Sequence, residues 1–215
     1  RRIASARRKN RGTAEDLKKH RLRIKGPYGA IETVIEEPPG EARGLALIAH
    51  PHPLKGGSLD NKVAWTLARA ALACGLIAVR PNFRGVGESE GVYDHGIGET
   101  EDLLALTGSI AAHYGSLPWT LMGFSFGAYV QHRVAQELAA TRLIMVGPAV
   151  SMYSFEATHI PTTILHGSED EVIPFHAARE YADAHAIPLI VIEGAGHFFH
   201  GQLREHRRTV LGTRV

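Results

Sequence analysis

From Gly44 onward, short apolar runs alternate with longer segments in which apolar residues recur every three or four positions. That alternation predicts strands and helices in turn, and hence a parallel sheet with helices packed on it. The predicted strands are Leu45 to Ala49, Leu76 to Arg80, Thr120 to Gly123, Leu143 to Val146, Thr162 to His166 and Leu189 to Glu193. They are apolar at nearly every position, as strands buried on both faces require. Ahead of them, Arg21 to Lys25 and Ala30 to Glu36 flank Gly26-Pro27-Tyr28-Gly29, which reads as an antiparallel hairpin.

Helical period fills the gaps. One helix is predicted to begin near Ser58 or Asp60, to carry Val63, Leu67 and Ala71 on one face, and to stop at Gly75. A second starts at the acidic stretch Glu99 to Asp102, favourable at a helix N-terminus, and repeats Leu103, Leu106 and Ile110. Ala128, Val130, Val134 and Leu138 form a third, and two more are expected near Phe175 to His185 and Phe198 to Leu211. The connection from Gly147 to Pro161 is too short to house a separate cap, so an open, shallow site is expected.

Composition changes this picture only at the start of the chain. The 215 residues suit one α/β domain, and 44% hydrophobic with 21% charged content is ordinary for a globular protein. The net charge of +2 hides an asymmetry: residues 1–25 hold 11 Lys/Arg against 2 Asp/Glu, and the remainder holds 13 against 20. The reading is therefore a basic, flexible tail over residues 1–20 and a single domain over 21–215. The arm has no interleaved aromatics and no apolar helical face, so neither nucleic acid nor membrane is expected as a partner. Cys74 is the sole cysteine, which excludes an internal disulfide. No apolar run approaches the ~18 residues of a span, and the Arg-rich start lacks the apolar core of a signal peptide, so a cytoplasmic location is expected.

The chemistry is carried by Gly123-Phe124-Ser125-Phe126-Gly127, which follows apolar Leu121-Met122 and precedes a helical register. A serine on such a strand-to-helix turn has its hydroxyl lifted above the edge of the sheet. A serine hydroxyl is a weak nucleophile and needs a base within reach and an acid to orient that base. The strand ending at His166 runs into Gly167-Ser168-Glu169-Asp170-Glu171, where Asp170 is the preferred acid, with Glu169 and Glu171 as alternatives. The strand before Glu193 runs into Gly194-Ala195-Gly196-His197, which presents His197 as the base. Serine, acid and histidine thus occur in that order, each just past a predicted strand.

An oxyanion hole completes such a site. Phe126 supplies one backbone N–H, and the loop His50-Pro51-His52-Pro53-Leu54-Lys55-Gly56-Gly57 should supply another. Since proline has no N–H, His52 is the first choice there and Leu54 the second. His50-Pro51-His52 also raises a metal reading, but there is no cysteine partner and no H-E-x-x-H pattern. Gly85-Val86-Gly87-Glu88-Ser89-Glu90-Gly91 departs from dinucleotide-binding spacing; Arg80, Arg84 and Glu88 are read as a structural polar network.

These residues together resemble the α/β-hydrolase family, specifically the small cap-less serine hydrolases and carboxylesterases related to dienelactone hydrolase and the acyl-peptidase catalytic domains. The likeness spans roughly Ile31 to Leu211 and rests on five motifs: the His50-Pro-His-Pro loop with Gly56-Gly57-Ser58 and Asn61-Lys62-Val63, Arg80 to Ser89, Gly123 to Gly127, His166 to Asp170, and Gly196 to Phe199. The resemblance implies a mainly parallel eight-stranded sheet with helices on both faces and minimal or no cap. It also implies Ser125 as nucleophile, Asp170 as acid, His197 as base, and neither metal nor organic cofactor. Dienelactone hydrolases proper use cysteine where this chain has Ser125, so cleavage of small or short-chain esters is the expected activity. Thioester or peptide hydrolysis on the same residues is the alternative within enzymes, and a non-catalytic binding protein of this fold is the alternative outside them.

Overall fold

The computed structural model describes residues 18–200 and 202. Eight strands form one sheet: β1 (Lys19–Gly26), β2 (Gly29–Glu36), β3 (Gly44–Ala49), β4 (Leu76–Pro81), β5 (Trp119–Phe124), β6 (Arg142–Val146), β7 (Thr162–Gly167) and β8 (Leu189–Ile192). Their spatial order is β1-β2-β4-β3-β5-β6-β7-β8. The opening hairpin is antiparallel and β2 meets β4 antiparallel, whereas every pair from β4 through β8 is parallel. All the predicted strands are present, although β1 begins two residues inside the segment assigned to the tail. Residues 1–17 lie outside the described residues.

Among the described residues, four α-helices cover the sheet: α1 (Lys62–Ala73), α2 (Ile97–Tyr114), α3 (Phe126–Val134) and α4 (Phe175–Ala184). Successive side chains of a strand point to opposite faces, and the core divides accordingly. Leu45, Leu47 and Ala49 of β3 join Leu103 and Leu106 of α2, Val130 of α3 and Ala182 of α4. Ala46 and Ile48 of the same strand join Val63, Leu67 and Ala71 of α1 on the other face. Helices therefore lie on both faces, and no cap domain interrupts the connection from β6 to β7.

Three predicted helix starts are corrected. Helix α1 begins at Lys62 rather than near Ser58 or Asp60, because the Asn61 side chain accepts hydrogen bonds from the Val63 and Ala64 N–H groups at 2.9 and 3.3 Å and caps the helix there. Helix α2 begins earlier, at Ile97. Glu99 is wholly buried and its carboxylate accepts from the Asp94 and Gly96 N–H groups at 2.9 and 2.8 Å, fixing the entry turn. No helix starts at Phe198: Phe199 and His200 have positive φ (55° and 21°), which a helix cannot contain. Most of the remainder of that predicted helix lies outside the described residues.

Candidate active site

The chain crosses from β3 outward to β4 and then returns to place β5 on the other side of β3. A parallel sheet opens a crevice at such a reversal, beyond the carboxyl ends of the two strands. Ala49 of β3 and Gly123 of β5 are in register, so the segment starting at His50 and the turn at Ser125 leave the sheet side by side.

Ser125 sits between β5 and α3 with φ 55° and ψ −116°, a conformation that non-glycine residues seldom adopt. Close packing holds it there. A side chain at Gly123 would overlap the Gly127 carbonyl, and one at Gly127 would overlap the carbonyls of Ala49 and His50, so both glycines let α3 start directly against the β3 loop. The Ser125 N–H donates to the Val146 carbonyl at 2.9 Å, which ties the turn to β6.

His197 arrives from the loop after β8, and its Nε2 lies 3.1 Å from Ser125 Oγ. Its Nδ1 lies 2.8 Å from Asp170 Oδ2, in the loop after β7. The imidazole is buried against the Phe124 ring, with centroids 5.0 Å apart. Asp170 Oδ1 accepts from the N–H groups of Val172 at 2.9 Å and Ile173 at 2.7 Å, so the carboxylate is fixed on both oxygens. Burial by itself would raise the Asp170 pKa, but the hydrogen bond to His197 and those from Ile173 and Val172 outweigh it and hold the carboxyl below its ordinary value. An ionised Asp170 accepts from Nδ1–H, which leaves the Nε2 lone pair facing the serine hydroxyl.

The alternative acids lie differently. Glu171 Oε2 accepts the backbone N–H of His197 at 3.1 Å, holding the loop rather than the ring. Glu169 is tied through its backbone, its N–H donating to the Ala195 carbonyl at 3.0 Å. In the loop after β3, the Leu54 N–H is turned onto His52 Nδ1 at 3.2 Å, so this second-choice oxyanion donor is already engaged. Among the described residues, the N–H groups of His52 and Phe126 donate to no acceptor of the chain.

Two buried histidines pack against these residues: His166, read from the sequence only as a strand end, and His50, read only in a metal alternative and as the start of the loop after β3. His166 Nε2 lies 2.9 Å from the Ile173 carbonyl and 3.4 Å from Asp170 Oδ2, packing the carboxylate from behind. His50 is fully buried at the end of β3; its Nδ1 lies 2.7 Å from the Pro51 carbonyl and its Nε2 3.0 Å from the Phe83 N–H. The available signal was position, since each is a histidine at the carboxyl end of an apolar strand. The rings of His52, Tyr93 and Tyr153 line the Phe126 side at centroid distances of 5.0, 5.7 and 5.6 Å from it. A cleft of about 930 Å³ runs between the start of α1 and Phe198–His200, but neither Ser125 nor His197 lines it.

A doubly covered, mainly parallel sheet with a strained serine on a strand-to-helix turn at its crossover defines an α/β hydrolase. Solved structures of similar sequence and fold are of this class. An α/β serine hydrolase homologue from Coxiella burnetii is 41% identical, with a TM-score of 0.85 over 89% of this chain and 95% of that one. An α/β serine hydrolase without lid from Xanthomonas campestris is 32% identical, with a TM-score of 0.86 over 90% and 94% of the two chains. An uncharacterized protein from Rickettsia prowazekii is 30% identical over 200 residues, 86% of this chain and 84% of that one. No protein-family model matches the chain. The chain belongs to the α/β-hydrolase family, among its small lidless serine hydrolases, and is a hydrolase. Among the described residues, no helix is long and apolar enough to cross a membrane.

Proposed function

We propose that the protein hydrolyses small or short-chain carboxylic esters through an acyl-enzyme, with Ser125 as nucleophile, His197 as general base and Asp170 as the acid that orients it. One observation carries the reading: the continuous chain from Ser125 Oγ to His197 Nε2 at 3.1 Å and from His197 Nδ1 to Asp170 Oδ2 at 2.8 Å. In the first step Oγ bonds to the ester carbonyl carbon while its proton passes to Nε2. The imidazolium forms beside an ionised Asp170, which stabilises it. The carbonyl oxygen becomes an oxyanion, for which the N–H groups of Phe126 and His52 are the proposed donors. Collapse expels the alcohol with the proton from Nε2 and leaves the acyl group on Oγ. Water, giving its proton to the same nitrogen, then releases the acid and restores the serine.

The short-chain preference follows from the lack, among the described residues, of a cap domain that would enclose a long acyl chain. Ser125→Ala should abolish labelling by a fluorophosphonate probe and reduce turnover of an aryl acetate by about 10⁴-fold or more, with an unchanged circular-dichroism spectrum. Labelling that survives this substitution would mean that another residue is the nucleophile.

A further inference from the structure

The loop after β3 has two carbonyls that flank one free N–H. The His52 carbonyl accepts from the N–H groups of Lys55 at 3.0 Å and Gly57 at 3.1 Å. The Pro51 carbonyl lies 2.7 Å from His50 Nδ1. Between these anchored groups, the His52 N–H donates to nothing among the described residues.

Pro51 C=O and His52 N–H belong to the same peptide unit. Because a peptide is planar and trans, its C=O and N–H point in opposite directions, and anything that fixes one fixes the other. We infer that His50 is a positioning residue for the oxyanion hole: by holding the Pro51 carbonyl it aims the His52 N–H at the site where the substrate oxyanion forms. This inference rests on the reading of Ser125, His197 and His52 given above.

The tautomer leaves no ambiguity about who donates. The Phe83 N–H can only donate, so Nε2 must carry the lone pair, and the Pro51 carbonyl can only accept, so Nδ1 must carry the proton. The Phe83 contact therefore selects the ring form that grips Pro51. Complete burial keeps that ring neutral, pushing its pKa down to about 4. Gly57 closes the arrangement from the other side, where a side chain would overlap the Pro51 carbonyl.

Two substitutions separate this role from general support. Asparagine places an amide N–H near the position of Nδ1, and glutamine places an amide oxygen near that of Nε2. His50→Gln can keep the Phe83 contact but loses the donor to Pro51, whereas His50→Asn can keep the donor and loses the acceptor. With an aryl acetate as substrate, His50→Gln should lose about 10- to 100-fold in kcat with little change in KM, as expected when an oxyanion donor is misdirected. His50→Asn should recover most of that loss.

Equal losses in the two variants, the reverse order, or an effect confined to KM would overturn the inference. Should either variant unfold, the ring nitrogens of the unsubstituted protein provide the test: a long-range ¹H–¹⁵N spectrum should show the neutral Nδ1–H tautomer for His50, and the Nε2–H tautomer would refute it. Ser125→Ala run in parallel keeps the two ideas apart. If it still turns over ester, the underlying reading fails; if it is dead while His50→Gln has full kcat, only the role of His50 fails.

Discussion

Two buried polar clusters occupy the molecule, and they differ in how their hydrogen bonds end. Beside β2 and β4, Arg80 meets Glu36 at 2.8 Å, Arg84 meets Asp102 at 2.8 Å, and Glu32 takes Arg21 and Asn82, each at 2.7 Å. Each of these charges ends on a fixed counter-charge or amide, apart from the Arg80 Nε–H, which has no partner. Beyond β5, β7 and β8, the chain of bonds instead runs from Asp170 through His197 to a serine hydroxyl held in a strained turn. Burial and charge are common to both. What separates them is that the second cluster ends on an uncharged hydroxyl, while the first ties β2 and β4 to each other and to the segments beside them.

The contrast is open to attack by substitution. Its largest expected effect is Asp170→Asn, which should lower kcat for an aryl ester by about 10³-fold or more, since the neutral amide no longer selects the reactive tautomer of His197. An unaffected rate would transfer the acid's role to Glu171 or Glu169. Next, Asp102→Ala should cost about 3 kcal/mol in urea unfolding by leaving the Arg84 guanidinium without its buried partner. Turnover per folded molecule should stay within a few-fold, and a large fall in kcat would erase the distinction between the clusters.

The last effect, acid sensitivity, reaches a similar size only at the acid end of its range. His50 is neutral when folded, with its pKa pushed by burial from 6.5 to about 4, so between those values the unfolded chain binds the extra proton. Stability from this residue is fully present above pH 6.5 and is lost as the pH falls towards 4, by up to about 3 kcal/mol. Thermal unfolding in His50→Gln should accordingly fall less steeply over that interval than in the parent. An equal slope in both would mean that His50 does not contribute to the acid sensitivity.

The hydrophobic rhythm made the sheet legible because strands buried on both faces must be apolar at nearly every position, as β3 is and as β5 and β6 are apart from Thr120 and Arg142. Helix ends were harder. Asn61 and Glu99 set them through side-chain contacts with particular N–H groups, and apolar periodicity does not report such contacts. Ser125 could be read from the motif around it, since glycines on either side of a serine between a strand and a helix permit few other structures. Among the three adjacent carboxylates the sequence favours Asp170 and keeps Glu169 and Glu171 as alternatives. Only the folded loop turns one carboxylate towards the imidazole, a second towards the His197 backbone and leaves the third held by its main chain.

By itself, then, the chain's order of residues determined the layered architecture and the three strand ends from which Ser125, Asp170 and His197 emerge. Those depend on periodicity and local backbone preference, which act over a few neighbouring residues. The tertiary structure decided which acid meets His197, which tautomer His50 adopts, and which N–H of the β3 loop stays free. The first two depend on contacts between segments remote in sequence, 27 positions apart for Asp170 and His197 and 33 for His50 and Phe83, which the packing of the sheet sets, whereas the third is settled inside the folded loop, where the Leu54 N–H turns onto His52.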